Sequence, residues 1–131
     1  MIAFASRTGN VKYIVSRLHL PAIEIADDVK LAEPFLLFTY TDGLGDVPRA
    51  VTQFMDRNGA LCRGVIVSGN SNFGHRVFGG AGDAIARQWR IPLVRKIDLR
   101  GFAEDYEEIR RYYEDCFREE RKSDEVLLEV K

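Results

Sequence analysis

Three short segments of the chain combine glycines with hydroxyl, amide and aromatic side chains, the residue types that bind phosphates and planar rings. They are SRTGNV (residues 6–11), TYTDGLGDVP (39–48) and SGNSNFGHRVFGG (68–80). Hydroxyl groups and the free amides at the start of a helix bind an anion such as phosphate. A glycine backbone approaches a flat ligand closely, and an aromatic side chain stacks on it. Together the segments predict separate phosphate-binding and ring-binding chemistry.

The first segment has two interpretations. In one, Ser6, Thr8 and Gly9 bind a phosphate together with the amides of a following helix. In the other, the segment is an ordinary strand-to-helix turn in which Thr8 or Asn10 caps the helix. The segment lacks the Gly-Lys-Ser/Thr ending of a P-loop and the three spaced glycines of a dinucleotide-binding fingerprint, which excludes both motifs.

The second segment contains Asp42-Gly43, a dipeptide that often closes a two-residue β-hairpin. A hairpin needs an antiparallel strand directly afterwards, whereas here Pro48 and a helical apolar pattern follow. The segment is therefore predicted to be a loop that enters a helix, with Asp46 as a possible cap and Pro48 as an early helical residue. Gly43 and Gly45 permit a peptide flip or a close approach to a ligand.

The third segment places Phe73 between Asn72 and Gly74, where no predicted core face requires an aromatic residue. We interpret Phe73 as a residue that stacks on a planar ring, while neighbouring amides bond to the polar edge of that ring. The alternative is that Phe73 packs onto the helix that follows. His75 is interpreted as a solvent-exposed loop residue.

Apolar runs and helical periods alternate around these segments and predict an α/β fold. The runs predict strands at residues 1–5, 22–25, 35–40, 64–67 and 93–99. Helical spacing predicts four helices with inner faces formed by Val11, Ile14, Val15 and Leu18; by Val51, Phe54 and Met55; by Phe78, Ala81, Ile85 and Trp89; and by Ile109, Tyr112, Tyr113, Cys116 and Phe117. This alternation indicates βαβ units and a mostly parallel sheet.

The composition of the strands predicts their order. Strands one, three and four are nearly continuous apolar runs, typical of strands covered on both faces, whereas strands two and five contain charges and suit the sheet edges. The order 2-1-3-4-5 satisfies this and gives a flavodoxin-like, doubly wound, five-stranded parallel sheet. Its topological switch point lies between strands one and three, where the three segments would meet. Their combined chemistry indicates a nucleotide, with FMN as the predicted cofactor.

Length and charge narrow the class of protein. With 131 residues and a net charge of -1, we expect one domain at residues 1–118 and a C-terminal tail at 119–131. The charge favours neither nucleic acid nor an anionic membrane as a partner. We find no secretion signal and no apolar run of the roughly 20 residues that span a bilayer, so a cytoplasmic location is expected. Cys62 and Cys116 lack metal-ligand spacing, so no metal site is expected.

The sequence resembles the NrdI family, small flavodoxin-like proteins that accompany class Ib ribonucleotide reductase. The resemblance covers residues 1–117 and rests on SRTGNV, TYTDGLGDVP, RGVIVSGNSNFG and GGAGDAIARQ in the same order. It implies a non-covalently bound FMN, reduced by an unidentified donor, that reacts with dioxygen. The resulting superoxide would pass to the manganese-containing small, radical-bearing subunit of the reductase and support assembly of its dimanganese–tyrosyl radical cofactor. The flavin carries the chemistry, so no catalytic side chain is expected.

The resemblance also implies the site residues by position. The flavin phosphate would be bound by Ser6, Arg7, Thr8, Gly9, Asn10 and Val11. One side of the ring would be bordered by Thr41, Asp42, Gly43, Leu44, Gly45, Asp46 and Val47, and the other covered by Asn70, Asn72, Phe73 and Gly74. Gly43 and Gly45 would permit a backbone change near flavin N5. Asp42 and Asp46 would either lower the flavin potential or act as turn and cap residues.

Two other classes of protein share parts of this pattern. An electron-carrying flavodoxin is the main alternative, although such proteins are usually longer and strongly acidic. A response-regulator receiver domain shares the strand order, but needs an acidic pair after strand one, an Asp ending strand three and a Lys ending strand five. Those positions hold Ala5-Ser6, Thr39-Tyr40-Thr41 and Leu99-Arg100, which disfavours a receiver.

Overall fold

The computed structural model describes residues 1–74 and 77–130, with side chains described as far as Arg118. Within these residues the chain forms five strands and four α-helices. The strands are β1 (Ile2–Phe4), β2 (Ala22–Glu24), β3 (Phe35–Tyr40), β4 (Cys62–Gly69) and β5 (Leu93–Asp98). The helices are α1 (Asn10–Leu18), α2 (Arg49–Asn58), α3 (Gly80–Trp89) and α4 (Ala103–Val130).

The strands form one parallel sheet in the order β2-β1-β3-β4-β5, which confirms the predicted flavodoxin-like topology. Burial follows the predicted division between central and edge strands. Residues 35–39 of β3 are all buried, whereas Ala22 and Glu24 of the edge strand β2 are exposed. In β5, the other edge strand, only Ile97 is buried. The switch point therefore lies between β1 and β3, as the strand composition predicts.

Two hydrophobic cores cover the two faces of the sheet. On one face, α1 and α4 pack over a core that includes Ile14, Phe38 and Ile109. On the other, α2 and α3 pack over a second core that includes Phe54 and Ile85. Burial of each such side chain stabilises the fold by about 1.5–3 kcal/mol. Because both faces are packed, the carboxyl ends of the central strands form a rigid base for the loops that follow them.

Two helix starts differ from the predictions. Helix α3 begins at Gly80, so Phe78 precedes the helix instead of lying on its inner face; Gly79 before it has a left-handed φ of 66°. Helix α2 begins at Arg49 with Pro48 at its N-cap position. The prediction that Asp46 caps α2 is wrong, since no side chain among the described residues caps this helix and the backbone of Asp46 bonds to Asp42 instead.

Helix α4 continues through Val130, so the backbone of residues 119–130 is an extension of the final helix. The side chains of the predicted tail, 119–131, lie outside the described residues, and the domain boundary at residue 118 stays a prediction. Across the part of the chain that the structure describes, no helix has the length and apolarity needed to cross a bilayer.

Candidate functional site

A cleft of about 490 Å³ opens at the carboxyl end of the sheet, at the switch point. Its volume lies within the range of about 300–1,000 Å³ that is usual for small-molecule sites. Three loops surround it: the first loop (residues 5–9, after β1), the second loop (41–48, after β3) and the third loop (70–79, after β4). The lining residues are Ser6, Arg7, Thr8, Asn10, Val11, Tyr40, Thr41, Asp42, Gly43, Ser68, Gly69, Asn70, Phe73, Val77 and Leu99.

The cleft brings together residues from all three predicted segments. Those that line it are Ser6, Arg7, Thr8, Asn10, Val11, Thr41, Asp42, Gly43, Asn70 and Phe73. The remaining predicted site residues lie in the same stretches of chain but outside the lining: Gly9, Leu44, Gly45, Asp46, Val47, Asn72 and Gly74. Their roles in binding stay predictions. His75 lies outside the described residues.

The first loop leaves the start of α1 suited to an anion. Gly9 occupies the N-cap position with a left-handed φ of 96°, and no side chain among the described residues caps the helix, so the alternative in which Thr8 or Asn10 is the cap is wrong. Instead, the backbone N–H of Lys12 donates to Ser6 Oγ at 3.2 Å. Helix geometry leaves the N–H groups of Asn10 and Val11 without intrahelical partners. Together with the absence of acidic residues in the first turn, these groups favour a bound anion.

The second loop reverses the chain locally. Asp42 and Asp46 form one antiparallel bridge, with N–O distances of 2.8 and 2.7 Å. The prediction that no β-hairpin forms here is confirmed, because α2 follows the loop instead of an antiparallel strand. The tight reversal that begins at Asp42-Gly43 was not predicted. Gly43 and Gly45, which lie between the two bridged residues, have positive φ values of 47° and 102°, a backbone conformation that glycine adopts without steric cost. The Asp42 carboxylate accepts from Gly43 N at 3.2 Å and therefore acts as a turn residue.

A backbone contact joins the second loop to the start of α3. A Cβ atom added to Gly80 would lie 2.9 Å from both the Cα and the carbonyl oxygen of Gly45. Real Cβ atoms do not approach backbone atoms so closely, so only glycine fits at position 80 in this arrangement. The orientation of the second loop is therefore set in part by α3, which the sequence pattern alone does not indicate.

The third loop presents its aromatic residue to solvent. Residues Ser71–Phe73 form a short 3-10 helix, and Asn70 Oδ1 accepts from Asn72 N at 3.0 Å to cap it. The Phe73 side chain lines the cleft and is 66% exposed. Such exposure disfavours the alternative in which Phe73 packs onto the following helix. It leaves the ring available to stack on a ligand.

Side chains at the end of β5 hold the third loop from outside. The Asp98 carboxylate accepts from Ser71 N at 3.1 Å and from Ser71 Oγ at 2.7 Å. Both hydrogen bonds hold the pKa of Asp98 below its ordinary value, and the bond from the Ser71 backbone N–H has the larger effect. At the far end of the loop, Lys96 Nζ donates to Phe78 O at 3.0 Å and to Asp83 Oδ2 at 2.7 Å. The charges of Lys96 and Asp98 predicted only that β5 is an edge strand, and neither contact with the third loop was predicted.

Among the described residues that line the cleft, one buried polar side-chain atom has no hydrogen-bond partner. Thr41 Oγ1 is buried, and among the described residues it makes no hydrogen bond. Burying an unpaired hydroxyl costs about 1–3 kcal/mol. Beside it, the Arg7 guanidinium lies 5.3 Å from the centre of the Tyr40 ring and donates to Asp42 Oδ1 at 2.9 Å. A ligand that bonds to Thr41 would remove the desolvation cost.

Five lining residues were not predicted as site residues: Tyr40, Ser68, Gly69, Val77 and Leu99. Four of them, Tyr40, Ser68, Gly69 and Val77, lie within the second and third segments. Extending the predicted site to every residue of those segments would have included them. Leu99 follows β5, which was predicted as an edge strand only. It reaches the cleft because its N–H donates to Gly69 O at 2.8 Å and its carbonyl accepts from Ser68 Oγ at 2.6 Å.

The described residues offer little for metal or thiol chemistry. Over these residues, no group of three or more His, Cys, Asp or Glu side chains is placed to hold a metal ion. Cys62 is buried, and burial raises the pKa of its thiol to about 11, which keeps the sulfur protonated at neutral pH.

The chain is similar to known proteins over most of its length. The family model described as NrdI flavodoxin-like matches residues 2–111. The chain is 38% identical over 112 residues to the SPbeta prophage-derived protein NrdI of Bacillus subtilis (strain 168), covering 82% of this chain and 86% of that protein. It is 37% identical over 121 residues to Protein NrdI of Escherichia coli O1:K1 / APEC, covering 85% and 88% respectively. Against Protein NrdI of Deinococcus radiodurans it is 35% identical over 115 residues, covering 85% and 80%.

Among solved structures, the fold is similar to that of a short-chain flavodoxin associated with a non-canonical PDU bacterial microcompartment. The TM-score is 0.66, with 22% identity, 86% of this chain and 92% of that chain covered. At this identity the likeness concerns the fold alone. The family model and the relatives extend over most of the chain and carry the assignment. The chain therefore belongs to the NrdI flavodoxin-like family.

Proposed function

We propose that the chain binds FMN non-covalently in this cleft. The observation that carries the proposal is the cleft itself, which lies at the switch point with an uncapped helix start on one side and an exposed aromatic ring on the other. The unpartnered hydroxyl of Thr41 supports a polar ligand between them. Membership of a flavodoxin-like family supports a flavin as that ligand.

The first loop and the start of α1 are proposed to bind the phosphate. Ser6, Thr8 and the amides of Asn10 and Val11 bind the phosphate, since they combine hydroxyl donors with the positive end of α1.

The second and third loops enclose the ring. Thr41, Asp42 and Gly43 border one side of it, where the positive φ of Gly43 brings backbone close to the ligand. Phe73 and Asn70 cover the other side, by stacking and by amide hydrogen bonds.

The proposed function is the activation of class Ib ribonucleotide reductase in the cytoplasm. When bound, FMN would supply one-electron chemistry: electrons from an unidentified donor would pass to dioxygen, and the resulting superoxide would support assembly of the dimanganese–tyrosyl radical cofactor in the manganese-containing small subunit. The chain's own residues bind and orient the flavin. Family membership supports this role.

A second candidate function is that of a general one-electron-carrier flavodoxin. The similarity of the fold to a short-chain flavodoxin favours it. Both candidates use the same cleft and the same cofactor, so the geometry of the cleft does not distinguish them. They differ in the protein that receives the electrons or the oxidant.

The first experiment tests the cofactor. Purified protein, reconstituted with FMN if needed, is expected to be yellow and to release FMN on denaturation, which chromatography identifies. Phe73→Ala is expected to weaken binding or alter the flavin spectrum, because the ring loses its stacking partner. A protein that stays colourless after reconstitution contradicts FMN binding, and an unchanged Phe73→Ala spectrum and affinity contradict the stacking role.

The second experiment tests the function. The reduced protein, dioxygen and the manganese-loaded small subunit of a class Ib reductase are mixed, and the tyrosyl radical is measured by electron paramagnetic resonance. An ordinary flavodoxin reduced to the same extent is the matched control. We expect a radical yield well above this control. Equal yields would favour the general electron carrier.

A further inference from the structure

We infer that Arg100 gives the cleft a preference for a flavin that carries a phosphate over one that does not. The inference rests on the proposed binding of FMN. Arg100 lies in the turn between β5 and α4, directly after the cleft residue Leu99. Its Nε donates to Asn10 Oδ1 at 3.1 Å, and Asn10 is a cleft residue at the start of α1. The guanidinium is thus one hydrogen bond from the proposed phosphate end.

Three contacts hold Arg100 although it is exposed. The bond to Asn10 is the first. The guanidinium carbon also lies 4.4 Å from the centre of the Tyr13 ring, which is a cation–π distance. The Tyr106 hydroxyl donates to the backbone carbonyl of Arg100 at 2.6 Å. A long cation fixed in this way loses less side-chain entropy when it meets an anion than a freely rotating one.

The charge of Arg100 is not neutralised within the described residues. No described carboxylate forms an ion pair with it, whereas Arg7, the cation inside the cleft, pairs with Asp42 at 2.9 Å. Arg17 adds a second positive charge nearby, 5.8 Å from the same Tyr13 ring. The start of α1 is itself positive and has no acidic residue in its first turn.

This arrangement of like charges points to an anionic ligand. A cation beside the positive end of a helix is unfavourable unless an anion lies between them. The phosphate monoester of FMN carries up to two negative charges at neutral pH, and riboflavin carries none. Arg100 therefore acts on the phosphate alone and discriminates between two ligands that share the same ring.

The test compares FMN with riboflavin by fluorescence titration of the full chain. Wild-type protein is expected to bind FMN more tightly, and the preference is expected to decrease with added salt. Arg100→Gln is expected to weaken FMN binding about two- to fivefold, the size usual for one exposed charge near a helix start, with riboflavin binding unchanged. Arg100→Lys keeps the charge and is expected to restore part of the preference.

The matched control is Arg87→Gln, which removes one positive charge from the last turn of α3, at the opposite end of the helix layer from the cleft. It is expected to leave both affinities unchanged. An unchanged ratio of FMN to riboflavin affinity in Arg100→Gln overturns the inference and leaves the proposed function standing. Equal weakening of both flavins also overturns it, because that would indicate a structural role. Failure of wild-type protein to bind either flavin overturns the proposed function, and the inference with it.

Discussion

The second and third loops border the same cleft but are stabilised in different ways. The second loop is closed by its own backbone, through the bridge between Asp42 and Asp46. The third loop depends on side chains of β5, with Asp98 bonded to Ser71 near its start and Lys96 bonded to Phe78 near its end. A loop closed by main-chain hydrogen bonds tolerates changes in most side chains. A loop held from a neighbouring strand is sensitive to single substitutions on that strand.

This difference bears on the proposed ring site. In the second loop, positive φ values at Gly43 and Gly45 place the backbone itself against the ligand, and glycine can change its conformation with little steric cost. In the third loop, the contact is a side chain, Phe73, whose position follows from the 3-10 helix that Asp98 holds. We therefore expect the second loop to change conformation with the state of the ligand and the third loop to act as a fixed wall.

The largest effect is expected from Gly80→Ala, which affects both loops. The new Cβ would overlap Gly45 backbone atoms at 2.9 Å, and backbone cannot move aside as a flexible side chain does. We expect the free energy of unfolding to fall by about 1–3 kcal/mol, as for other overpacked sites. Chemical denaturation measures it. An increase in stability, as helix propensity alone would predict for alanine, would show that the second loop is not in rigid contact with the start of α3.

Asp98→Ala is expected to affect the third loop alone. Loss of the carboxylate frees the Ser71 N–H and hydroxyl, so amide hydrogen exchange of residues 71–73 should accelerate while that of residues 42–46 stays unchanged. We expect stability to fall by about 1 kcal/mol, the usual value of such hydrogen bonds. Ser71→Ala, which keeps the N–H donor, is the matched variant and should give a smaller effect. Equal acceleration in both loops would contradict their separate stabilisation.

Acid is expected to release the third loop only at low pH. Because the hydrogen bonds from Ser71 lower the pKa of Asp98, the stabilisation is present above the ordinary aspartate value of 3.8 and is lost as the pH falls through the lowered pKa. Between pH 5 and 8 the contact should not change. The Ser71 amide shift in NMR titration measures the midpoint. A midpoint at or above 3.8 would contradict the assigned hydrogen bonds.

The smallest effect is expected from Arg7→Gln in the second loop's ion pair. The side chains of Arg7 and Asp42 are 59% and 40% exposed, so their 2.9 Å contact is screened by solvent. We expect a stability change of less than about 1 kcal/mol that disappears at high salt. Protection of the Asp42 and Asp46 amides from hydrogen exchange should persist, because the bridge between them is formed by backbone hydrogen bonds. Rapid exchange of both amides would show that the ion pair, not the bridge, closes the loop.

The sequence patterns predicted the fold well for a local reason. An unbroken apolar run, as at residues 35–40, indicates a strand covered on both faces, whereas the charges in β2 and β5 indicate strands at the edges of the sheet. This distinction is enough to predict the order of the strands in a parallel sheet. The predicted helix starts were less accurate where the backbone conformation of one or two loop residues decided them. The left-handed Gly79 placed Phe78 outside α3, and the Asp42–Asp46 bridge removed Asp46 from the start of α2.

Contacts between distant segments were not predictable in this way. The side chain of Asn58, the last residue of α2, accepts from Leu31 N at 2.7 Å and donates to Val29 O at 3.0 Å. Such bonds depend on where two backbones meet, and neither composition nor periodicity carries that information. The roles of Asp98 and Arg100 belong to the same class, since each joins residues separated by tens of positions in the chain.

By itself, the sequence determined the α/β class, the strand order, the three segments that would meet at the switch point and the resemblance to a family, because these follow from the spacing of apolar and glycine residues along the chain. Only the tertiary structure decided which of those residues line the cleft, that Thr41 has a buried hydroxyl without a partner among the described residues, and that Asp98 at the end of β5 and Arg100 in the turn after it lie next to the cleft loops. The physical reason is that hydrogen bonds and charge interactions act over a few ångströms in space, whatever the separation of their residues in sequence.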